Sequence, residues 1–123
     1  MILSSPFVRA LQTAEPIAQK LDITIQKLDA LRELNHGNFA NQKNDERSRE
    51  SRNAFRADPE AKFGETGESR NDIRTRMREI AELIKREYAG KTVLVVTHGF
   101  PSQGLLEVFE KEKMPEKYPN AGY

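Results

Sequence analysis

The chain has 123 residues with 20 basic and 19 acidic side chains, and its formal net charge of +1 argues against nucleic-acid binding through a strongly basic surface. It contains no cysteine, which excludes disulfides and thiolate metal sites, and no apolar run approaches the roughly 20 residues needed to cross a bilayer. Its length fits a single domain. Only 37% of its residues are hydrophobic, so we expect the core of that domain to be small or to be completed by something else. The opening residues lack the charged region and long apolar core of a signal peptide, which favours a cytoplasmic protein without a membrane partner.

The first predicted elements are a strand end at Ile2-Leu3 and a helix directly after it. Ser5 offers a hydroxyl for the N-cap of that helix, and Pro6 suits the first helical position because its missing N–H needs no partner there. Apolar residues then recur at three- and four-residue spacing, which is typical of an amphipathic helix. They are Phe7, Ala10, Leu11, Ala14, Ile17, Ala18 and Leu21. Pro16 interrupts this pattern and predicts a kink or a break.

The middle of the chain predicts one short strand and a long polar segment. Ile23-Thr24-Ile25 alternates and reads as a strand, and Asn35–Phe39 has the Asn and Gly content of a loop. Glu33 and His36 lie in or beside that loop, and each taken alone is interpreted as a solvated side chain. Charges of both signs alternate from residue 41 to residue 62, which predicts a solvated helix or a mobile flap rather than a nucleic-acid patch. A flap over residues 41–66 that covers a substrate is the alternative interpretation.

The second half of the chain contains the clearest helix. It follows a glycine-containing loop at residues 64–69, and Ser69 with Asp72 resembles a capping box. Its apolar stripe, which predicts a face packed on the core, ends before Gly90. The stripe consists of Ile73, Met77, Ile80, Ile84 and Tyr88.

The apolar run Val93–Val96 predicts a strand that is covered on both faces, as in a parallel sheet. Another helix is predicted at Pro101–Glu110, and residues 114–123 read as a turn-like tail. Because three strands alternate with helices, the sequence predicts an α/β fold with a mainly parallel sheet.

Two side chains in this pattern are candidates for chemistry. His98 follows the predicted strand directly, and ligands of open α/β sheets bind at the carboxyl ends of strands. Its local context does not distinguish a catalytic histidine from a packing one. Arg9 lies in the first turn of the first helix, where it is either a solvated surface arginine or a clamp for a phosphate beside free backbone N–H groups.

Four stretches of the chain match the motifs of one family, in the right order. Residues 4–14, SSPFVRALQTA, resemble the Ser-Pro-x-x-Arg-Ala-x-x-Thr-Ala signature of the histidine phosphatase (phosphoglycerate mutase-like, branch 1) superfamily. Residues 31–39 are similar to its Leu-x-Glu-x-x-x-Gly-x-aromatic element, and residues 67–76 to its Gly-Glu-Ser helix start. Residues 95–99 are similar to its second histidine motif.

The resemblance implies a three-layer α/β fold and phosphoryl transfer through a phosphohistidine intermediate. Arg9 would clamp phosphate oxygens, and His98 would be the second pocket histidine that holds and stabilises the phosphoryl group. Glu33 would protonate the leaving oxygen and then act as the base for the incoming water or hydroxyl. The backbone amides of Gly99 and Phe100 would contact the phosphate. No metal and no other cofactor is implied.

The chain departs from the family at one motif. The family's nucleophile lies in an Arg-His-Gly motif at the end of its first strand, ahead of the Ser-Pro element, and the sequence contains no such motif. His36 belongs to the glutamate loop instead, and Glu68 and Ser69 are interpreted as structural. We therefore expect residues 1–123 to form a single histidine phosphatase domain that is truncated at the N-terminus and at the C-terminus, with little activity of its own.

Three functions stay open on the same scaffold. The first is a phosphomonoester hydrolase, and the short segment between Glu33 and Gly67 favours this branch of the family. The second is a non-catalytic phosphate- or anion-binding or interaction module, and the third is a phosphoglycerate mutase-type phosphomutase. A generic nucleotide-binding domain is weaker because no glycine-rich loop is present. The expected partner is a small phosphorylated substrate of undetermined identity, and homo-oligomer formation stays open.

Overall fold

The computed structural model describes residues 1–40 and 45–110, in which three short strands alternate with four helices. The elements are β1 (Ile2–Ser4), α1 (Val8–Leu21), β2 (Ile25–Lys27), α2 (Glu46–Ala57), α3 (Arg70–Glu87), β3 (Leu94–Val96) and α4 (Gly99–Glu110). Two 3₁₀ turns, Asp29–Leu31 and Gly37–Phe39, lie between β2 and α2. The tail predicted at residues 114–123 lies outside the described residues.

The three strands form one parallel sheet in the order β2-β1-β3, which confirms the predicted α/β class. β1 is the central strand and is almost fully buried, since Ile2 is 1% exposed and Leu3 is 0% exposed. Ile2 pairs with Ile25 on one side and with Leu94 on the other. The carboxyl ends of all three strands therefore reach the same edge of the sheet, where the polar residues that follow them meet.

Helices cover both faces of the sheet. Side chains alternate between the faces along each strand, so successive residues of a strand pack against different helices. On one face Ile2 is buried with Ala14 and Ala18 of α1, and Val96 packs against them. On the other face Leu3 belongs to a larger core that contains residues of α3 and α4, such as Met77 and Leu105. The result is the three-layer arrangement that the resemblance implied. β3 is covered less than its apolar run predicts, because Val95 and Val96 are partly buried and Leu94 is 37% exposed at this edge strand.

The start of α1 differs from the prediction. The helix begins at Val8, and its N-cap is Phe7, whose side chain caps nothing. Ser5 and Pro6 therefore precede the helix, and the predicted N-cap and first helical position are wrong. The Ser5 hydroxyl instead accepts the Phe7 N–H at 3.3 Å and is also engaged by the distant His98. α1 continues through Pro16 without a break and ends where Asp22 adopts a left-handed conformation with φ 51°.

One further local prediction, the capping box of α3, is confirmed, and two others differ only in their boundaries. The capping box of α3 forms, because the Ser69 hydroxyl accepts the Asp72 N–H at 3.1 Å and the Asp72 carboxylate accepts the Ser69 N–H at 2.8 Å. β2 lies at Ile25–Lys27, two residues later than predicted, and α4 starts at Gly99, two residues earlier.

The described part of the charged segment contains α2, which packs on the core through the fully buried Phe55. Within the residues that the structure describes, no helix has the length and apolar character needed to span a membrane.

Candidate functional site

The candidate site lies at the carboxyl ends of the two strands β1 and β3. Ser5 follows β1 and continues its pairing, because its N–H donates to the carbonyl of Val96 at 2.8 Å. Two residues after Val96, the imidazole of His98 lies with Nε2 at 2.8 Å from Oγ of the fully buried Ser5. The sheet thus brings together two residues that are separated by 93 positions in sequence.

His98 is half-buried, and its surroundings favour the neutral imidazole. Its ring meets Phe7 edge to face, with ring centroids 5.3 Å apart. Burial, and secondly the positive charge of Arg9, hold the pKa of His98 below its usual 6.5, while the Glu33 carboxylate acts in the opposite direction. A neutral imidazole has one donor and one acceptor nitrogen, and the contact with Ser5 occupies one of them.

Arg9 is the second residue of α1, and its exposed side chain points to the same aromatic ring. Its guanidinium carbon lies 5.0 Å from the Phe7 ring centroid, within the distance at which a cation is attracted to the ring face. Among residues 1–40 and 45–110, Arg9 makes no ion pair. Its positive charge is therefore free to meet an anionic ligand.

The carboxylate of Glu33 is held in place by two backbone N–H groups. Oε1 accepts the Leu34 N–H at 2.8 Å, and Oε2 accepts the Gly99 N–H at 3.2 Å. The Gly99 amide, which the resemblance assigns to phosphate, thus donates to the glutamate in this structure. Phe100 follows in the first turn of α4, with its ring packed against Phe55 at a centroid distance of 5.2 Å.

The loop that carries Glu33, residues 30–35, is held by Arg76 of α3. The Arg76 guanidinium donates to both oxygens of Glu68 at 2.9 and 3.1 Å and to the carbonyls of Ala30 and Arg32 at 2.6 and 2.8 Å. Its side chain is only 15% exposed. Glu68 in turn accepts the Asn35 N–H at 2.9 Å. This network fixes the backbone on both sides of Glu33.

A second tie joins the same loop to the end of β3. Thr97 Oγ1 donates to the carbonyl of Leu31 at 2.7 Å across 66 positions of sequence. Gly67 makes close approach possible nearby, because a Cβ at this position would lie 2.5 Å from the carbonyl oxygen of Asn35. We call residues 30–35 the loop wall, and Phe7 with Arg9 the α1 wall.

A cleft of about 580 Å³ lies between the two walls. It is lined by Phe7, Arg9, Asp29, Arg32, Glu33, Leu34, Asn35, His36, Ala40, Glu68 and Arg76. His98 is not among the lining residues, but its ring contacts the lining residue Phe7. The cleft therefore brings a free arginine and a fixed carboxylate to one concave surface, with a neutral imidazole beside it. Such a set can bind an anion and transfer a proton.

The sequence profile of the histidine phosphatase superfamily (branch 1) matches residues 1–121. The chain belongs to this superfamily. A comparison with curated protein sequences gives no match.

Several solved structures share the fold of this chain. Bacillus stearothermophilus YhfR is 30% identical with a TM-score of 0.75, and the match covers 91% of this chain and 57% of YhfR. The native mycobacterial glucosyl-3-phosphoglycerate phosphatase is 25% identical with a TM-score of 0.76, over 92% of this chain and 59% of that one. The same phosphatase in complex with VO3 is 27% identical, with a TM-score of 0.73 over 91% and 58% of the two chains. The chain thus spans just over half the length of these structures.

The structure brings most of the sequence-predicted site residues together. Arg9 and His98 meet at Phe7, and Glu33 meets Gly99. His36 also lines the cleft, with its ring packed edge to face on Phe63 at 4.7 Å.

Three residues of the site were missed as site residues by the sequence reasoning. Ser5 was interpreted as a helix cap, Phe7 as part of an apolar helix face, and Arg76 only as part of a matching motif. The Ser-Pro-x-x-Arg motif specifies Ser5, and the Gly-Glu-Ser helix start extends to Arg76, so the family motifs held a signal for these two residues that local patterns lacked. Phe7 lies at an unspecified position of the first motif.

Proposed function

We propose that the cleft binds the phosphoryl group of a small phosphomonoester, and that the domain hydrolyses this ester through a phosphohistidine when an Arg-His-Gly motif supplies the nucleophile. Membership of the superfamily and likeness to a phosphatase support a phosphatase-like or mutase-like function. The observation that carries the proposal is that Arg9 and Glu33 line one cleft and that His98 contacts its lining residue Phe7. These residues come from three separate stretches of the chain, and each matches a family motif.

In this proposal Arg9 and His98 hold the phosphoryl oxygens. The planar guanidinium of Arg9 donates two parallel hydrogen bonds to them and neutralises part of their charge. His98 donates a further hydrogen bond, and a bound dianion raises its pKa and so favours the protonated ring. Both groups stabilise the charge that spreads over the equatorial oxygens in the transition state.

Glu33 transfers the protons. Its protonated form donates to the alkoxide as the ester P–O bond breaks and a P–N bond forms to the nucleophilic histidine. The carboxylate then takes a proton from water as the water oxygen attacks phosphorus and the P–N bond breaks. The two bonds from Leu34 and Gly99 hold the carboxyl group in position for both steps. The nucleophile in this scheme is the histidine of an Arg-His-Gly motif, which the printed sequence lacks.

One observation favours a second function, a non-catalytic anion-binding module on the same scaffold. The sequence has only two histidines, and both lie in motifs other than Arg-His-Gly. Such a module would use Arg9 and His98 to hold an anion without turning it over. The phosphomutase alternative shares the hydrolase site and differs only in the acceptor, which is an alcohol in place of water.

Binding and turnover separate these functions. We would titrate the protein with inorganic phosphate by calorimetry and measure the hydrolysis of p-nitrophenyl phosphate, for the wild type and for Arg9→Ala and His98→Ala. Each protein would be measured as residues 1–123 and again with an N-terminal segment added that contains an Arg-His-Gly motif. The exposed Arg78 of α3 provides the matched control, Arg78→Ala. Loss of one charged hydrogen-bond partner is expected to weaken phosphate binding at least about tenfold in Arg9→Ala and to leave the control unchanged.

Hydrolysis that is lost in both site variants and kept in Arg78→Ala supports the hydrolase. Phosphate binding without hydrolysis, even after the Arg-His-Gly segment is added, favours the anion-binding module. Binding and hydrolysis that are untouched by Arg9→Ala and His98→Ala would remove the site assignment altogether.

A further inference from the structure

Two arginines from different segments meet at one aromatic ring in the cleft. The guanidinium carbon of Arg9 lies 5.0 Å from the Phe7 ring centroid, and that of Arg32 lies 5.6 Å from it. Both distances are within the range of cation–π attraction. The two cations are therefore separated by no more than the sum of these distances, which a small organic molecule spans.

The third arginine of the cleft is not available to a ligand. Arg76 uses its guanidinium on Glu68 and on backbone carbonyls, and its side chain is 15% exposed. Arg32 differs because its side chain is 52% exposed, and its ion pair to Asp29 at 2.9 Å involves a carboxylate that is 80% exposed. Such an exposed pair contributes little to stability and exchanges readily for another anion.

The backbone of Arg32, in contrast, is fixed. Its N–H donates to the carbonyl of Asp29 at 3.0 Å, and its carbonyl accepts from Arg76 at 2.8 Å. A fixed backbone with a solvated guanidinium over Phe7 presents a cation at a defined place in the cleft. The guanidinium has five N–H donors, so the pair with Asp29 leaves donors for a ligand.

The cleft is also larger than one phosphoryl group requires. Its volume of about 580 Å³ is in the range of small-molecule sites, and Arg32 lines it together with Arg9. A phosphoryl group held by Arg9 and His98 leaves the part of the cleft beside Arg32 for the rest of the substrate.

We propose that Arg32 forms a second anion subsite, so that the cleft prefers phosphomonoesters that carry a second anionic group over esters of neutral alcohols. The inference rests on the proposed function, because it takes the first subsite, at Arg9, to hold the phosphoryl group. Asp29 competes with the second anion for Arg32. Arg32 is thus a specificity-determining residue, and Asp29 limits its strength.

The test compares ligands without and with a second anionic group. Calorimetric titrations would use ethyl phosphate, 2-phosphoglycolate with its added carboxylate, and propane-1,3-diol bisphosphate with its added phosphate. The wild type is expected to bind each ligand that carries a second anionic group about tenfold more tightly than ethyl phosphate, which corresponds to one charge-assisted contact. Preference for only one of the two ligands identifies a carboxylate or a phosphate as the second group.

Matched variants test whether Arg32 causes this preference for a second anionic group. Arg32→Gln keeps a polar side chain and removes the guanidinium charge, so the affinity ratio should fall to about one. Asp29→Asn removes the competing carboxylate and should raise the ratio, whereas Arg9→Ala should weaken all three ligands together.

A wild-type ratio of about one, or a ratio that survives Arg32→Gln, would overturn the second subsite while inorganic phosphate still binds as proposed. If inorganic phosphate fails to bind to the wild type, the proposed function fails and the second subsite fails with it.

Discussion

The two walls of the cleft are built in different ways. The loop wall is fixed by hydrogen bonds from α3 and from the end of β3, and its Glu33 carboxylate accepts two backbone N–H groups. In the α1 wall, the Arg9 side chain is exposed and has the Phe7 ring as its neighbour. The comparison separates two tasks. A group that transfers protons needs a defined position before the substrate binds, whereas a cation that binds phosphate needs to be free of protein anions.

This difference also predicts which substitutions change the stability of the protein and which change its ligand binding. Removing a tie of the loop wall should cost stability, because buried polar groups lose their partners. Removing the exposed cation of the α1 wall should affect binding and leave stability almost unchanged. Stability and phosphate affinity, measured on variants of both walls, therefore test the comparison.

Arg76→Ala is expected to have the largest effect on stability. It removes the hydrogen bonds to Glu68 and to the carbonyls of Ala30 and Arg32, and it leaves the Glu68 carboxylate, only 23% exposed, without its cation. We expect a loss of about 3 kcal/mol in the free energy of unfolding, measured by urea denaturation. Arg78→Ala on the exposed side of α3 is the control, with an expected change within about 0.5 kcal/mol. Equal losses in the two variants would contradict a fixed loop wall.

A pair of Thr→Val substitutions compares the walls with the same chemical change. Thr97→Val removes the 2.7 Å bond to the carbonyl of Leu31 and should cost about 1 kcal/mol of unfolding free energy. Thr13 makes a longer bond of 3.3 Å to the carbonyl of Arg9 on the exposed surface of α1, so Thr13→Val should cost less than about 0.5 kcal/mol. If Thr13→Val proves the more destabilising of the two in urea, the assignment of fixed and free walls is reversed.

The elements of the fold were largely predictable from the sequence because each has a local signal. The apolar spacing of α3 and its Ser69–Asp72 capping box involve residues within a few positions of one another. The order β2-β1-β3 has no such signal, since it depends on which strands pair in space. The sequence predicted a parallel sheet and could not predict that β1 is its centre.

The candidate site shows the same limit. Arg9, Glu33 and His98 were found through family motifs, and their roles in catalysis stay predictions. The contact of Ser5 with His98 joins residues 93 positions apart, and Arg76 reaches the loop wall across 46 positions. Local reasoning assigned the Ser5 hydroxyl to the nearest helix, because a cap is the common use of a serine before a helix. Tertiary structure gave this hydroxyl a more distant partner.

The pKa of His98 provides a third comparison of the walls. Beyond the effect of burial, Arg9 of the α1 wall lowers this pKa, and Glu33 of the loop wall raises it. The pKa of His98 in the folded protein lies below 6.5 through burial and the charge of Arg9, against the effect of Glu33. Imidazole signals followed by NMR should therefore show that Arg9→Ala raises the pKa of His98 and that Glu33→Gln lowers it. A midpoint for His98 above 6.5 in the wild type would show that the Glu33 carboxylate outweighs burial and Arg9.

The same lowered pKa makes stability depend on pH with a definite sign. As pH falls below 6.5, the unfolded chain takes up a proton at His98 before the folded chain does, so the folded state loses stability. The contribution of His98 is complete above pH 6.5 and disappears as pH falls towards its folded pKa. The measurement is the difference in unfolding free energy between pH 7.5 and pH 5.5, which should be larger for the wild type than for His98→Asn. An equal difference in the two proteins would contradict it.

Arg9→Ala is expected to have the smallest effect on stability and a large effect on phosphate binding. Arg9 is exposed in the first turn of α1, where a cation meets the positive end of the helix dipole, so the unfolding free energy should change by less than about 0.5 kcal/mol or rise slightly. Inorganic phosphate at 100 times its dissociation constant should stabilise the wild type by about 2.7 kcal/mol, because only the folded state binds it. The same phosphate concentration should stabilise Arg9→Ala far less. If Arg9→Ala instead unfolds as easily as Arg76→Ala, then Arg9 supports the fold, and the α1 wall is as fixed as the loop wall.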